Sequence, residues 1–292
     1  MPPVAQDGRL AFHAAVWPAL QLRTVTLARN GTGAWADLLE RARHGALSAA
    51  DIAALRTREL PCPSATAARL GELAPLGVTT LYFHNEMADR VNAHQLHALP
   101  GPPGVTVFDA RDFSRSDHNG CDAFFQHAPP AAHLRLRLAA QVVLLAPLGD
   151  RTPGARAVVT RLEHGAGREP RVWVRFYLGG EEVEIPRVEW RQESGDVTLA
   201  WRRQVPLALS WALPLHRAQS WGLRFTTPLL INFRGGRSIF DYGQAYAALA
   251  LAPSLDALNL EAFEPLTVRA HPDALAYHHG RAVGQDDHGA DG

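Results

Sequence analysis

Hydrophobic positions in the first third of the chain recur with the spacing of amphipathic helices, interrupted by short apolar runs. Ser48 and Asp51 form a capping-box pattern at the start of one such helix, and Gly45 would end the helix before it. The predicted helices lie within 5–20 and over 35–44, 49–57 and 85–96, and the predicted strands over 22–27 and 79–83. Helices that alternate with buried strands favour an α/β fold.

From residue 134 the hydrophobic period changes to that of a β-strand. Leu134, Leu136 and Leu138 alternate with arginines, and further short apolar runs follow up to residue 190. Gly179 and Gly180 separate two of these runs, which is typical of a β-hairpin. Five or six short strands with tight turns predict a small closed β-barrel.

The stretch 99–133 shows neither period and is rich in proline and glycine, so we expect an irregular junction there. His118, His127 and His133 have no regular spacing, which indicates exposed loop histidines rather than metal ligands. Beyond the barrel, the sequence predicts strands over 229–232 and 258–260 and a helix over 241–249, followed by a polar tail from residue 280 that is typical of disorder.

Two short polar clusters interrupt the apolar stretch 206–260. One contains His216, Arg217 and Gln219, and the other contains Gln244. Buried polar side chains cost about 1–3 kcal/mol each unless they find partners. The clusters are therefore either a polar surface between two core segments or ligand-binding loops at strand ends. His, Arg and Gln can all donate hydrogen bonds to phosphates or base edges.

The amino-acid composition excludes or disfavours several kinds of active site and ligand. The 292 residues include 29 basic and 29 acidic ones, so the net charge of zero does not favour a nucleic-acid binder, although a local basic face remains compatible with it. All 29 basic residues are arginines, and the sequence contains no lysine. This excludes a Walker A phosphate loop and a Schiff-base lysine within this sequence. Cys62 and Cys121 lie far apart, which disfavours a zinc site and fits a reducing compartment. The sequence predicts neither a membrane span nor a secretory signal.

The two polar clusters resemble motifs five and six of the petite-integration-frequency DNA helicases, relatives of RecD in helicase superfamily one. Motif five of that family reads Trp-Ala-apolar-Thr-apolar-His-Lys-Ser-Gln-Gly, and the matching run here begins at Trp211 and ends at Ser220. Motif six reads Gly-Gln-x-Tyr-Val-Ala-Leu-Ser-Arg and matches the run from Gly243 to Leu251. The order and separation of the runs match as well.

The resemblance implies an α/β fold: the RecA-like, P-loop-NTPase-type parallel sheet of the second helicase core domain, with a small SH3-like β-barrel inserted. The barrel pattern of the family matches residues 139–145 and 153–157. The implied boundaries are a first RecA-like part at 1–98, a junction at 99–133, the barrel at 134–203, the remainder of the RecA-like domain at 204–272 and a disordered tail at 273–292. The N-terminus resembles the end of motif three, so we expect a longer gene product or a truncated gene model.

The resemblance also implies ATP and Mg²⁺ as cofactors and single-stranded DNA as partner. The phosphate loop of the family lies in the first RecA-like domain, so a second chain or a longer product would supply it. The implied contacts are Gln244 and Arg217 to nucleotide, and Asn85, His216 and Gln219 to DNA. Leu251 occupies the position of the motif-six arginine finger, which stabilises charge during phosphoryl transfer.

Three candidate DNA contacts, Asn85, Trp173 and Arg175, have a second interpretation. Asn85 follows a predicted strand, where open α/β sheets bind ligands, but it could equally cap the next helix, whose inner face we predict to carry Met87 and Val91. Trp173 and Arg175 are predicted on the outer face of a barrel strand. They could stack bases and pair with phosphates, or simply pack across strands on a solvated face.

Two functions remain open. The first is the C-terminal portion of an ATP-dependent 5′-to-3′ DNA helicase that acts in DNA repair, recombination or telomere maintenance. The sequence leaves the compartment open; for a eukaryotic source it would be the nucleus or mitochondrion. The second is a degenerate, non-catalytic domain that binds single-stranded nucleic acid or a protein. Proline, alanine and serine at positions 214, 218 and 220 replace motif-five residues and favour the second. At 28–33 the Phe-Arg-Gln motif of the family is not recognisable, and we interpret that segment as a turn.

Overall fold

The computed structural model describes residues 33–101, 104–115, 121–165, 168–234 and 241–276. The expectations for residues 1–32, for His118 and for the tail from residue 277 lie outside the described residues. Within them, no helix is both long and apolar enough to cross a membrane.

The helices and strands predicted for the described part of the chain are present, and further ones appear that the periodicity did not predict. The helices are α1 (Ala34–Arg43), α2 (Ala49–Arg56), α3 (Pro63–Leu73), α4 (Asn85–Ala98), α5 (Cys121–His127), α6 (Leu215–Ser220) and α7 (Gln244–Leu249). The strands are β1 (Glu59–Leu60), β2 (Thr79–Tyr82), β3 (Thr106–Asp109), β4 (Arg111–Ser114), β5 (His133–Leu136), β6 (Gln141–Leu144), β7 (Arg156–Gly165), β8 (Arg168–Phe176), β9 (Glu182–Glu184), β10 (Val188–Ser194), β11 (Val197–Gln204), β12 (Leu207–Leu209), β13 (Ala212–Pro214), β14 (Leu229–Asn232) and β15 (Leu258–Glu261).

The predicted capping box is confirmed at the start of α2. The Ser48 hydroxyl accepts from the Asp51 backbone N–H at 3.1 Å, and the Asp51 carboxylate accepts from the Ser48 backbone N–H at 2.9 Å. The same carboxylate accepts two hydrogen bonds from Arg41 at the end of α1, each 2.7 Å. One buried carboxylate therefore starts α2 and joins it to α1.

Five strands form a parallel sheet in the order β1-β15-β14-β2-β13. Every neighbouring pair in it is parallel. All four residues of β14 and of β15 are buried, as expected for parallel strands covered on both faces. The predicted parallel α/β sheet is confirmed. Because β2 lies next to β13, the segments that follow these two strands leave the same edge side by side.

The remaining strands pair in antiparallel sheets. One sheet has the order β12-β6-β7-β8-β9, a second has the order β10-β11-β4, and β3 pairs with β5. Gly179 and Gly180, both at positive φ, form the predicted turn between β8 and β9. The pairing leaves β12 and β9 at the two ends of the larger sheet. The antiparallel insertion is thus present, and its closure into a barrel remains a prediction.

The stretch 99–133, predicted to be irregular, instead contains β3, β4 and α5. Phe108 of β3 is fully buried, and β4 pairs with β11 of the insertion. β3 has a short alternation of buried and exposed residues. Because prolines lie on both sides of it, the whole stretch was predicted to be irregular.

Two buried polar side chains join the insertion to the parallel-sheet unit. The Gln141 amide donates to the carbonyl oxygens of Val78 and Ser210, at 2.6 and 2.9 Å. The Arg156 guanidinium reaches the Pro228 carbonyl at 2.8 Å. These hydrogen bonds hold the insertion against the parallel sheet. Both side chains belong to the segments that match the barrel pattern of the family.

Candidate nucleic-acid interface

A groove of about 1080 Å³ opens beside the carboxyl edge of the parallel sheet. Helix α4 forms one wall and the start of α6 forms its floor. The facing wall comes from the insertion and from the segment before it. Its polar and charged lining residues are Asn85, Asp89, Asn92, His97, Gln126, His127, His133, Arg135, Arg137, Arg202, His216, Arg217 and Ser220.

The topology explains why distant sequence positions meet in this groove. β2 and β13 are paired with Pro214 opposite Tyr82, and each strand passes within a few residues into a helix. Asn85 is the first residue of α4, while His216 lies in the first turn of α6. His84 occupies the N-cap position without a side-chain cap, so the interpretation of Asn85 as the helix cap is wrong.

Asn92 joins α4, one wall of the groove, to strand β13. This residue was not singled out from the sequence. Its side-chain amide donates to the Ala212 carbonyl at 2.7 Å, and its side-chain oxygen accepts from the Ala212 backbone N–H at 3.0 Å. Ala212 lies in β13, the edge strand of the sheet. Asn92 therefore satisfies backbone groups that a further strand would otherwise pair.

The electrostatics of the groove favour an anionic ligand. Four arginines line it and Asp89 is the only acidic residue among the described lining residues. Arg217 lies 3.5 Å from Asp89. Partial burial first, and the Arg217 cation second, hold the pKa of His216 below its ordinary value. At neutral pH His216 is therefore an uncharged hydrogen-bonding group beside a cation.

Known proteins with similar sequences settle the family. No protein-family model matches the chain. The human ATP-dependent DNA helicase PIF1 is 31% identical over 287 residues, which cover 95% of this chain and 41% of the human protein. The ATP-dependent DNA helicase PIF6 of Trypanosoma brucei brucei is 41% identical over 152 residues, 50% of this chain and 18% of that protein. This chain belongs to the PIF1 helicase family. It spans less than half the length of either relative.

Solved PIF1 structures share the fold. The crystal structure of Bacteroides sp Pif1 in complex with ADP-AlF4 has a TM-score of 0.68 at 18% identity, over 86% of this chain and 54% of that chain. Bacteroides Pif1 in complex with ADP-AlF3 and ssDNA has a TM-score of 0.55 at 19% identity, over 88% and 56%. The fold of this chain is therefore RecA-like.

The site residues implied by the PIF1 resemblance do not all meet in one place. Asn85, His216 and Arg217 line the groove together, whereas Gln219 is exposed on α6 outside its lining. Gln244 accepts a hydrogen bond from the Asp241 backbone N–H at 3.2 Å in the turn before α7. The structure thus places Arg217, predicted for nucleotide, with the residues predicted for DNA.

Leu251, at the PIF1 arginine-finger position, is partly buried against the core of the parallel-sheet unit. A leucine side chain can pack there but cannot neutralise a phosphate. Among the described residues, no group of three or more His, Cys, Asp or Glu side chains could hold a metal ion. Mg²⁺ therefore has no evident ligand set within the described part of the chain.

The predicted outer face of β8 needs a correction. Trp173 is only 7% exposed, because the guanidinium groups of Arg161 and Arg171 lie over its ring at 3.8 and 4.7 Å. Arg171 also forms a bidentate pair with Glu184, at 2.7 and 2.5 Å. The Trp173 ring is therefore not open for base stacking. Arg175 is exposed as predicted.

A second polar cluster lies at the ends of β14 and β15 and was missed from sequence. The buried Glu261 carboxylate accepts from Asn232 at 2.5 Å and from the Arg234 Nη2 at 2.9 Å. Tyr82 lies beside it, and burial first and the Glu261 charge second raise the pKa of the Tyr82 phenol. Asn232 and Arg234 follow one apolar run, Glu261 ends a second and Tyr82 lies in a third, so only the sheet order brings them together.

Proposed function

We propose that this chain forms the second RecA-like domain of a PIF1-type, ATP-dependent 5′-to-3′ DNA helicase, with the groove as its binding site for single-stranded DNA. The observation that carries the proposal is that Asn85, His216 and Arg217 leave two neighbouring parallel strands and line one cavity. The Bacteroides Pif1 complex with ssDNA, which is similar in fold, supports the choice of ligand.

The cations of the groove differ in how available they are for phosphate. Arg137 donates to the carbonyl oxygens of Leu96 and His97 at the end of α4, and Arg202 pairs with Asp112 at 2.6 Å. Arg217, beside one exposed aspartate, and the exposed Arg135 are the cations best able to turn towards a phosphodiester backbone. Asn85 and His216 then supply hydrogen bonds near the bases or sugars.

We include ATP and Mg²⁺ in the proposal because the chain belongs to the PIF1 helicase family. Gln244 is the nucleotide contact that this chain would contribute. The sequence contains no lysine for a phosphate loop, so hydrolysis would require a first RecA-like domain from a partner chain or a longer product. We also assign the antiparallel insertion at 134–203 to the SH3-like barrel of the family, between RecA-like parts at 1–98 and 204–272. Roles in DNA repair, recombination and telomere maintenance follow from the family alone.

The second candidate is a non-catalytic domain that binds single-stranded nucleic acid. Leu251 favours it, because no cation stands at the arginine-finger position. A finger contributes about 10³-fold or more to phosphoryl transfer. Both candidates use the groove, and they differ in whether the chain takes part in turnover.

Fluorescence anisotropy with an oligothymidylate, repeated over a range of salt concentrations, tests the groove. We expect Arg217→Ala to reduce the slope of log K against log salt by about 0.7, the value for one lost phosphate contact on a single strand. We expect His216→Ala to weaken binding at every salt concentration. Arg56→Gln is the matched charge control, since Arg56 is exposed on α2 and lies outside the groove lining. Equal effects of Arg56→Gln and Arg217→Ala would refute the groove.

ATPase assays with the same oligonucleotide separate the two candidates. Turnover that appears when a PIF1 first RecA-like domain is added, and that Gln244→Ala reduces, supports the helicase. Salt-dependent binding without turnover under that condition supports the non-catalytic domain. Absence of binding by the folded chain contradicts both.

A further inference from the structure

The exposed face of the three-stranded sheet carries an aromatic pair that the groove does not use. Phe113 of β4 lies directly opposite Trp201 of β11, and their rings stack with centroids 5.8 Å apart and planes inclined by 17°. Phe113 is 44% exposed. Neither residue lines the groove.

Two arginines stand beside this pair on the same face. Arg203 is directly opposite Arg111, two residues along the strands from Trp201 and Phe113. Arg111 pairs with Glu169 at 2.5 Å, and Arg187 shares that carboxylate at 3.3 Å. Arg203 is exposed, and its nearest cross-strand acid, Glu189, is already paired with Arg191 at 2.5 Å.

The stability of the fold accounts for only part of this arrangement, because a stacked cross-strand aromatic pair contributes about 0.2–1 kcal/mol to a sheet. Like charges directly opposite on one face of an antiparallel pair are destabilising. The Phe113 ring also stays 44% exposed, so the stacked pair leaves apolar area in water. An anionic ligand with flat rings would satisfy both features, because aromatic side chains stack bases while arginines pair with phosphates.

The spacing suits a nucleotide chain. Two residues along a strand advance by about 7 Å, so the aromatic row and the arginine row lie side by side. β11 also alternates between two sides: Arg202 faces the groove, whereas Trp201 and Arg203 face this surface.

We propose that Phe113, Trp201, Arg111 and Arg203 form a second binding site for single-stranded nucleic acid, separate from the groove. The bases stack on the aromatic pair, and the phosphates pair with the two arginines. The choice of ligand rests on the proposed function, but the residues are independent of it.

Anisotropy with an oligothymidylate long enough to cover both sites tests the proposal. We expect Phe113→Thr and Trp201→Thr, which keep strand-forming residues, each to weaken binding about tenfold. We expect Arg203→Gln to reduce the salt slope by about 0.7, with Arg56→Gln as the matched control. Melting curves of each variant accompany the titrations. Arg203→Gln should melt no lower than wild type, because it removes a like-charge pair.

Photo-cross-linking with an oligonucleotide that contains 5-iodouracil supplies a second readout. We expect a cross-linked peptide that contains Phe113 or Trp201, retained in His216→Ala and lost in Trp201→Thr. Unchanged affinity in Phe113→Thr and Trp201→Thr, together with weakening in His216→Ala, would overturn this second site and leave the proposed function standing. The opposite pattern would remove the groove and keep the second site.

Discussion

Arg156→Met tests how the insertion is held against the parallel sheet. Arg156 lies in β7 and is only 2% exposed. Its Nη1 is within hydrogen-bond distance of the Gly77 carbonyl at 2.5 Å, the Pro228 carbonyl at 2.8 Å and the Thr227 hydroxyl. The guanidinium carbon also lies 4.4 Å from the centre of the Phe225 ring.

The cost of burying this cation is large. Burial lowers the pKa of Arg156 from its ordinary value of 12.5 to about 9. A difference of that size corresponds to about 5 kcal/mol against the charged form in the folded protein. Below pH 9 the full cost is present. Between pH 9 and 12.5 the unfolded chain binds more protons than the folded one, so stability contributed by this residue rises with pH.

The gain comes from hydrogen bonds made by a charged donor, each about 1.5–3 kcal/mol. Nη1 carries only two N–H groups, and two such bonds amount to about 3–6 kcal/mol. Nε and Nη2 of Arg156 are buried without a hydrogen-bond partner among the described residues, so the bonds do no more than offset the cost of burial. Methionine makes none of these bonds and bears no charge. The acceptors keep other donors, since Gly77 O still accepts from Thr227 at 3.2 Å and Pro228 O from the Thr79 N–H at 3.4 Å. We therefore expect Arg156→Met to stay within about 2 kcal/mol of wild type at pH 7.

Urea unfolding followed by circular dichroism measures this difference in the free energy of unfolding. Arg156→Ala should lose about 2 kcal/mol more than Arg156→Met, because it also opens a cavity against Phe225. Arg175→Met, an exposed arginine of the neighbouring strand, should stay within about 0.5 kcal/mol of wild type. Above pH 9 the advantage of wild type over Arg156→Met should grow by up to about 1.4 kcal/mol per pH unit. A difference between them that stays constant from pH 7 to 11 would refute the assigned burial cost.

Two further substitutions test local features of the fold. Asp51→Asn should destabilise the protein by about 1–2 kcal/mol at pH 7 through the helix cap. The Arg41 guanidinium holds the pKa of the Asp51 carboxyl well below its usual range. That stabilisation is present above the unfolded value near 4 and is lost as pH falls, so melting curves of Asp51→Asn and wild type should converge in acid. Gly154→Ala should lower the urea midpoint much more than Gly180→Ala, since both sites have positive φ but only at Gly154 would a Cβ meet the Arg224 carbonyl, at 2.3 Å. Equal midpoints would contradict this reasoning.

Local sequence signals were sufficient to predict most helices and parallel strands. They did not predict the buried face of a helix correctly where one of its inward side chains is polar. The inner face of α4 carries Ala88, Asn92 and Leu96, and the prediction of Met87 and Val91 on that face was wrong for Met87, which is 42% exposed. An asparagine that pairs with backbone on a distant strand gives no hydrophobic signal, so the period was assigned one residue out of phase.

The groove was partly predictable, because polar residues after neighbouring parallel strands converge whatever their separation in sequence. The surroundings of Trp173 were not predictable. A bulge in β7 shifts the register between Val159 and Arg161, which brings Arg161 opposite Trp173. Alternation within β8 alone cannot reveal which residue of β7 covers the ring.

The contacts that shape the groove are made by side chains that do not face a ligand. Asn92 ties α4 to β13, and Arg137 at the end of β5 holds the last carbonyl groups of α4, at 2.9 and 3.1 Å. Gln141 and Arg156 then fix the insertion to the sheet that carries β13. Because one wall belongs to the insertion and the other to α4, the groove keeps its width only while all these links hold. The separation of Arg135 from Arg217 across the groove is therefore set by residues that a motif comparison does not include.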